Sequence, residues 1–168
     1  MNAIPLLATL LEAMHEEHLD AVLIGNAAAA MQGAPVTTLD FDFMFRDTAA
    51  NMQKLKRVAK RLDAVILRPF YPVSKLYRLT ADASGLQADF MPVIHGIRSY
   101  KGLKARGVEQ QVGGIPLRIA CLDDIIASKK AASRDRDLAV LPVLERTRRQ
   151  LGGGPVARRR GPKQPPAR

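Results

Sequence analysis

Asp40 and Asp42 stand one residue apart in the run Thr-Thr-Leu-Asp-Phe-Asp-Phe-Met-Phe from Thr37 to Phe45, fifteen and seventeen positions after the glycine of a Gly25-Asn26 step. In a β-strand two such acids leave the same face about 6.5 Å apart, while Leu39, Phe41 and Phe43 turn to the other. Adjacent carboxylates repel, and acids set among apolar residues are costly to bury without a cation or a partner. Mg²⁺ suits the pair, since it takes one or two carboxylates and completes its octahedron with water and substrate phosphates; Mn²⁺ accepts the same oxygen donors. A glycine turn that opens a helix presents unpaired backbone N–H groups to an anion, and the Asn26 side chain adds an amide donor. Asp89, in a later apolar run, is a third acid that either completes a second metal site or takes the proton of an attacking hydroxyl. These residues suggest in-line attack on the α-phosphate of a nucleoside triphosphate, with pyrophosphate as the leaving group.

The elements that must position them follow from hydrophobic periodicity. Leu6, Leu7, Leu10, Leu11 and Met14 recur at helical spacing between Ile4 and His18. Ala21 to Ile24 reads as a buried strand ended by Gly25, and the alanine-rich stretch from Asn26 to Met31 as a helix. Gly33, Ala34 and Pro35 break it, and Thr38 to Phe45 forms the second strand with the two acids. Thr48 to Leu62 is an amphipathic helix that Asp47 or Thr48 can cap. Ala64 to Arg68, Lys75 to Thr80 and Leu86 to Ile94 predict a meander of strands, and Gln110 to Val112 and Leu117 to Ala120 a hairpin around Gly113 and Gly114. Two helices end the pattern, Leu122 to Ala132 and about Asp135 to Gln150, the second kinked or interrupted at Pro142. The expected class is α/β (α+β): a small mixed, mainly antiparallel sheet flanked by helices.

A chain of 168 residues supports one core, assigned to residues 1–150. No segment has the roughly 18 apolar residues of a membrane span, the N-terminus lacks a secretory signal, and the single cysteine, Cys121, makes no internal disulfide, so the expected compartment is the cytoplasm with no membrane partner. The net charge of +10 draws five charges from Arg158, Arg159, Arg160, Lys163 and Arg168 in a Gly- and Pro-rich end that carries no acid, which reads as a disordered basic tail over 151–168. Such an arm solubilises the protein or holds RNA through phosphate contacts.

A buried strand, a Gly-containing turn, a helix and then Asp-x-Asp between apolar residues resemble the DNA-polymerase-β-like nucleotidyltransferase superfamily. Gly33-Ala34-Pro35 before Thr38-x-Asp40-x-Asp42, the helix start at Cys121 to Lys129 and the stretch Ala131 to Leu138 are similar to bacterial nucleotidyltransferases of the AbiEii/AbiGii type, associated with type IV toxin–antitoxin pairs. The likeness spans about residues 5–145. It implies a magnesium-dependent enzyme with Gly25 and Asn26 at the phosphates, Asp40, Asp42 and Asp89 as metal-binding carboxylates, and Lys129 and Asp137 as distal helical members of the nucleotide site. The acceptor is left open among an RNA end, a protein hydroxyl and a small molecule, and the resemblance extends to an antitoxin partner. Asn26 where the family has a second small residue, Val36 for an arginine and Arg136 for a lysine leave a second reading open, a catalytically degenerate module of the same fold that binds nucleotide, RNA or a protein partner.

Overall fold

The computed structural model describes residues 3–38 and 40–152, and the expected tail lies outside them apart from its first two residues, which close the last helix. The chain runs α1 (Ala3–Glu16), β1 (Ala21–Ile24), α2 (Gly25–Met31), β2 (Phe41–Phe45), α3 (Ala49–Arg61), β3 (Val65–Leu67), β4 (Tyr77–Ala81), β5 (Leu86–Met91), α4 (Tyr100–Arg106), β6 (Val108–Val112), β7 (Ile115–Ile119), α5 (Leu122–Ala132) and α6 (Asp135–Gly152). All seven strands share one mixed sheet in the order β3-β4-β5-β2-β1-β7-β6. Its β1–β7 and β2–β5 pairs are parallel and the other four antiparallel, so the expected class holds.

Strand alternation sorts the side chains. Leu23, Phe43 and Phe90 lie side by side on one face, all fully buried. Phe43 and Phe90 stack with centroids 5.1 Å apart, and Phe45 meets Phe90 edge-on at 5.8 Å and Tyr77 at 5.9 Å. Helix α1, whose Leu7, Leu10, Leu11 and Met14 are buried, packs against β6, β7 and α3, and α3 packs against β3. On α3 Thr48 is the cap: its Oγ1 accepts from the N–H of Asn51 at 3.2 Å. Helix α2 packs on β1 and β2 and touches α5, and α6 packs on α5.

Three local expectations change. Strand β2 begins at Phe41, so Asp40 precedes it; the Asp40 N–H donates to Thr38 Oγ1 (3.2 Å) and that hydroxyl donates to the Asp40 carbonyl (3.1 Å), a local turn that takes groups a longer ladder would need. Helix α6 runs through Pro142 without interruption. The missing bond and ring clash of an interior proline cost about 3 kcal/mol, offset here by ion pairs to α5 on both sides of it, Lys129–Asp137 before and Lys130–Glu145 (2.7 Å) and Arg148–Asp123 (2.8 Å) after, and by the full burial of Leu144. Helix α4 has no counterpart in the sequence pattern. Ser99 caps it by accepting from the Gly102 N–H at 3.0 Å, and its Leu103 is fully buried.

Phe90 joins the stacked and edge-on contacts of the aromatic face, so Phe90→Ala is expected to cost about 3–5 kcal/mol, read as a lowered urea midpoint at unchanged slope. A loss under about 1 kcal/mol would mean that this face is loosely packed.

Candidate functional site

The opposite face of the sheet carries the polar residues. Ile24 pairs with Asp42 in register, Asp42 with Asp89, and Asp89 with Arg78, so one row of side chains crosses β1, β2, β5 and β4. Two carboxylates on adjacent strands at one register position lie about 5 Å apart at Cβ. This row floors a cleft of about 580 Å³ whose walls include Gly25 and Asn26 of α2, Pro69 to Pro72, His95, and Ser128, Lys129, Arg134, Arg136 and Asp137 of α5, α6 and their junction. Every residue that the sequence nominated, Gly25, Asn26, Asp40, Asp42, Asp89, Lys129 and Asp137, lines it.

Gly25 has φ +68, and a Cβ built on it would sit 2.7 Å from Asp42 Oδ2, well inside van der Waals contact. Backbone conformation and the neighbouring carboxylate therefore both require glycine. The α2 helix it opens has only seven residues, so most of the positive charge in the cleft comes from side chains.

Asp42 is half-buried, and its carboxyl is pushed up to about 6 by burial first, then by Asp89 and Asp40, while Lys129 and Arg134 act the other way. Asp40 is exposed; Gln87 Nε2 donates to its Oδ1 at 3.0 Å. Asp89 is buried and held by Arg78, whose Nε donates to Oδ1 at 2.8 Å and Nη2 to Oδ2 at 2.7 Å. Across the cleft, Lys129 Nζ donates to Asp137 Oδ1 (3.0 Å) and Arg134 Nε to Oδ2 (2.6 Å). Burial opposes the Asp137 charge, but these two hydrogen bonds outweigh it and keep the carboxyl below its usual range. Arg136 has no ion pair among the described residues.

No group of three or more His, Cys, Asp or Glu side chains among the described residues is placed to hold a metal ion. The reason is visible in the bonding: Asp89 has both oxygens on Arg78, and Asp40 lies outside the strand. What remains is a pair, Asp40 and Asp42. Two carboxylates with the rest of the shell from water and phosphate is a donor set that Mg²⁺ accepts, and a cation would relieve the repulsion that raises Asp42. Asn26 adds a buried Oδ1 with no hydrogen-bond partner, an acceptor whose isolation costs about 1–3 kcal/mol.

The sequence reading missed Arg78 and Gln87. Arg78 and Asp89 are equidistant from the turn Asp82–Gly85, as are Thr80 and Gln87, so opposite charges placed symmetrically about a hairpin turn were the available signal. It also missed the loop of Pro69, Phe70, Tyr71 and Pro72, where Phe70 is 90% exposed and Tyr71 meets His95 edge-on at 5.7 Å.

The fold built around this cleft is that of nucleotidyltransferases. The chain superposes on the crystal structure of ANT(2'')-Ia in complex with adenylyl-2''-tobramycin with a TM-score of 0.61 and 15% identity, covering 89% of this chain and 95% of that one. The solution structure of the antibiotic-resistance factor ANT(2'')-Ia gives 0.59 at 14% identity, over 89% and 91%. TM1012 of Thermotoga maritima, provisionally assigned as a nucleotidyltransferase, gives 0.58 at 17%, over 89% and 92%. No protein-family profile and no curated protein matches the sequence. At such identities the likeness defines a fold, and the reaction has to be argued from the site. No helix among the described residues is long and apolar enough to cross a membrane.

The raised Asp42 carboxyl has a consequence for stability. The unfolded chain loses this proton near 3.8 and the folded one near 6, so folding loses stability as pH rises between these values and carries the full penalty, up to ~3 kcal/mol, above them. Without added metal, Asp42→Asn is expected to be more stable than the parent at pH 8 by up to that amount and equal to it near pH 4. Urea unfolding at the two pH values measures this, and equal stabilities at pH 8 would show that Asp42 is well solvated.

Proposed function

We propose that this chain is a nucleotidyltransferase that directs a hydroxyl of an acceptor at the α-phosphate of a nucleoside triphosphate and releases pyrophosphate. The observation that carries the reading is the convergence of Asp40, Asp42 and Gly25 on one cleft in a fold shared with nucleotidyltransferases. Asp40 and Asp42 would hold a divalent cation, Mg²⁺ or Mn²⁺, which supplies charge neutralisation for the phosphates and the departing pyrophosphate. The chain's own residues bind and orient. Gly25 lets backbone approach the phosphates, the Asn26 amide adds a side-chain group beside it, and Asp89 completes the acidic row. Lys129 is fixed by Asp137, which it shares with Arg134, so the α5–α6 wall offers positioned cations rather than mobile ones.

ANT(2'')-Ia has been crystallised with an adenylylated small molecule, so a small-molecule hydroxyl stands with an RNA end and a protein hydroxyl among the acceptors of this proposal. The narrower resemblance to toxins of the AbiEii type extends it to a growth-inhibiting activity with an antitoxin partner. The second reading, a binding module without turnover, is favoured by Asn26, which places a buried unpartnered oxygen at the expected phosphate turn.

Transfer of label from each of four α-phosphate-labelled nucleoside triphosphates to extracted RNA, protein and metabolites with Mg²⁺ tests the proposal. Label on one acceptor class is expected, lowered at least about a hundredfold in Asp40→Ala and in Asp42→Ala. A folded protein that binds nucleotide but transfers none would establish the binding module. Slowed growth on expression of the parent and not of Asp42→Ala is the outcome expected of a toxin.

A further inference from the structure

Asp89 stands where a third metal-binding carboxylate is expected, yet its surroundings give it another partner. Both of its oxygens accept from one guanidinium, at 2.8 and 2.7 Å, in the bidentate geometry that makes arginine–carboxylate pairs strong and directional. The two residues face each other across β4 and β5 in register, so the sheet brings them together before any side chain moves. The Asp89 side chain is 9% exposed and that of Arg78 34%. Were Arg78 to swing out to water, a buried carboxylate would be left uncompensated beside Asp42, an arrangement strongly disfavoured. Of the other cations of the cleft, Lys129 and Arg134 both bind Asp137 on the opposite wall, and Arg136, which has no ion pair among the described residues, stands on α6 rather than on the strand that faces Asp89.

From this we infer that Arg78 is a permanent, protein-supplied cation of the site, which keeps Asp89 off the metal and limits the cleft to a single divalent ion on Asp40 and Asp42. The inference rests on the proposed nucleotidyl transfer and changes how it is carried out. Charge counting agrees with it. On the floor of the cleft three carboxylates, one guanidinium and one divalent ion sum to zero, whereas a second divalent ion bound through Asp89 would have to approach a carboxylate whose two oxygens already accept from a cation. Asp89 is then a positioning residue. With both oxygens accepting from Arg78, its part is to fix the guanidinium in the cleft. With Nε and Nη2 engaged, Nη1 has no protein acceptor among the described residues and is the group available to a phosphate oxygen.

Mn²⁺ is the probe. Its binding is counted by the loss of the free-ion resonance in electron paramagnetic resonance, with each of four non-transferable α,β-methylene nucleoside triphosphates present at one per chain. The parent is expected to hold one Mn²⁺ per chain–nucleotide complex. Arg78→Gln, which releases Asp89, is expected to hold two. The paired change Arg78→Gln with Asp89→Asn conserves the summed charge; it is expected to return to one, with an affinity within about threefold of the parent, whereas loss of a true ligand would weaken binding by more than about tenfold. Two Mn²⁺ in the parent, or a tenfold loss in the paired variant, would overturn the inference and leave the proposed transferase standing. Absence of both nucleotide and Mn²⁺ binding in the folded parent would overturn the transferase reading, and this inference with it. If Arg78→Gln does not fold, the parent and the paired variant still decide the matter.

Discussion

Like charges gathered at one register position of a sheet are the constraint from which the rest of this molecule follows. Asp42 and Asp89 sit side by side on neighbouring parallel strands, with Asp40 just before the strand of one of them. Repulsion of this kind is tolerated only on a rigid base, and the base is the other face of the same strands, where Leu23, Phe43, Phe45 and Phe90 are fully buried. A strand with an acid on one side and large aromatics on the other has no freedom of register, because a slip of one residue would exchange them. The acidic face in turn dictates its neighbours: a backbone without Cβ at Gly25, an amide on Asp40 and a guanidinium on Asp89.

The wall opposite solves a related problem differently. Asp137 is buried between α5 and α6, and two cations satisfy it, one from each side of the turn where Ser133 takes a left-handed conformation (φ 51). Lys129 thereby gives up side-chain freedom on folding rather than on substrate binding. Floor and wall carry opposite excess charge across a cleft, an arrangement suited to a polyanion held together with a cation.

Much of this was legible in the sequence, for identifiable reasons. Gly25 and the Asp40-x-Asp42 step announced themselves because few structures need glycine, then acids alternating with phenylalanine, at that separation. The places of Lys129 and Asp137 in the site came from resemblance, and their pairing from the structure, since eight residues across a helix break carry no periodic signal. Arg78 escaped notice because its meaning depends on which residue faces it across a hairpin, and strand pairing is a tertiary property. For the same reason Asp40 was placed inside a strand that begins one residue later: alternation is a pattern in the chain, but the Thr38 hydroxyl competes with it locally. At Pro142, where the local rule allowed either a kink or a break, α6 continues as one helix packed on α5.

Strand β3 forms one border of the sheet, and it is only three residues long, with Val65 59% and Leu67 49% exposed. An unpaired border of this kind is a template on which another chain can grow, and brevity and proline are the usual protections. Both are present, since Pro69, two residues on, has no N–H to extend a ladder. That proline also begins the loop that rims the cleft. The device that guards the sheet against self-association and the lip of its cleft are thus one stretch of polypeptide, so a change that lengthens the border strand is at once a solubility lesion and a blockage of the entrance.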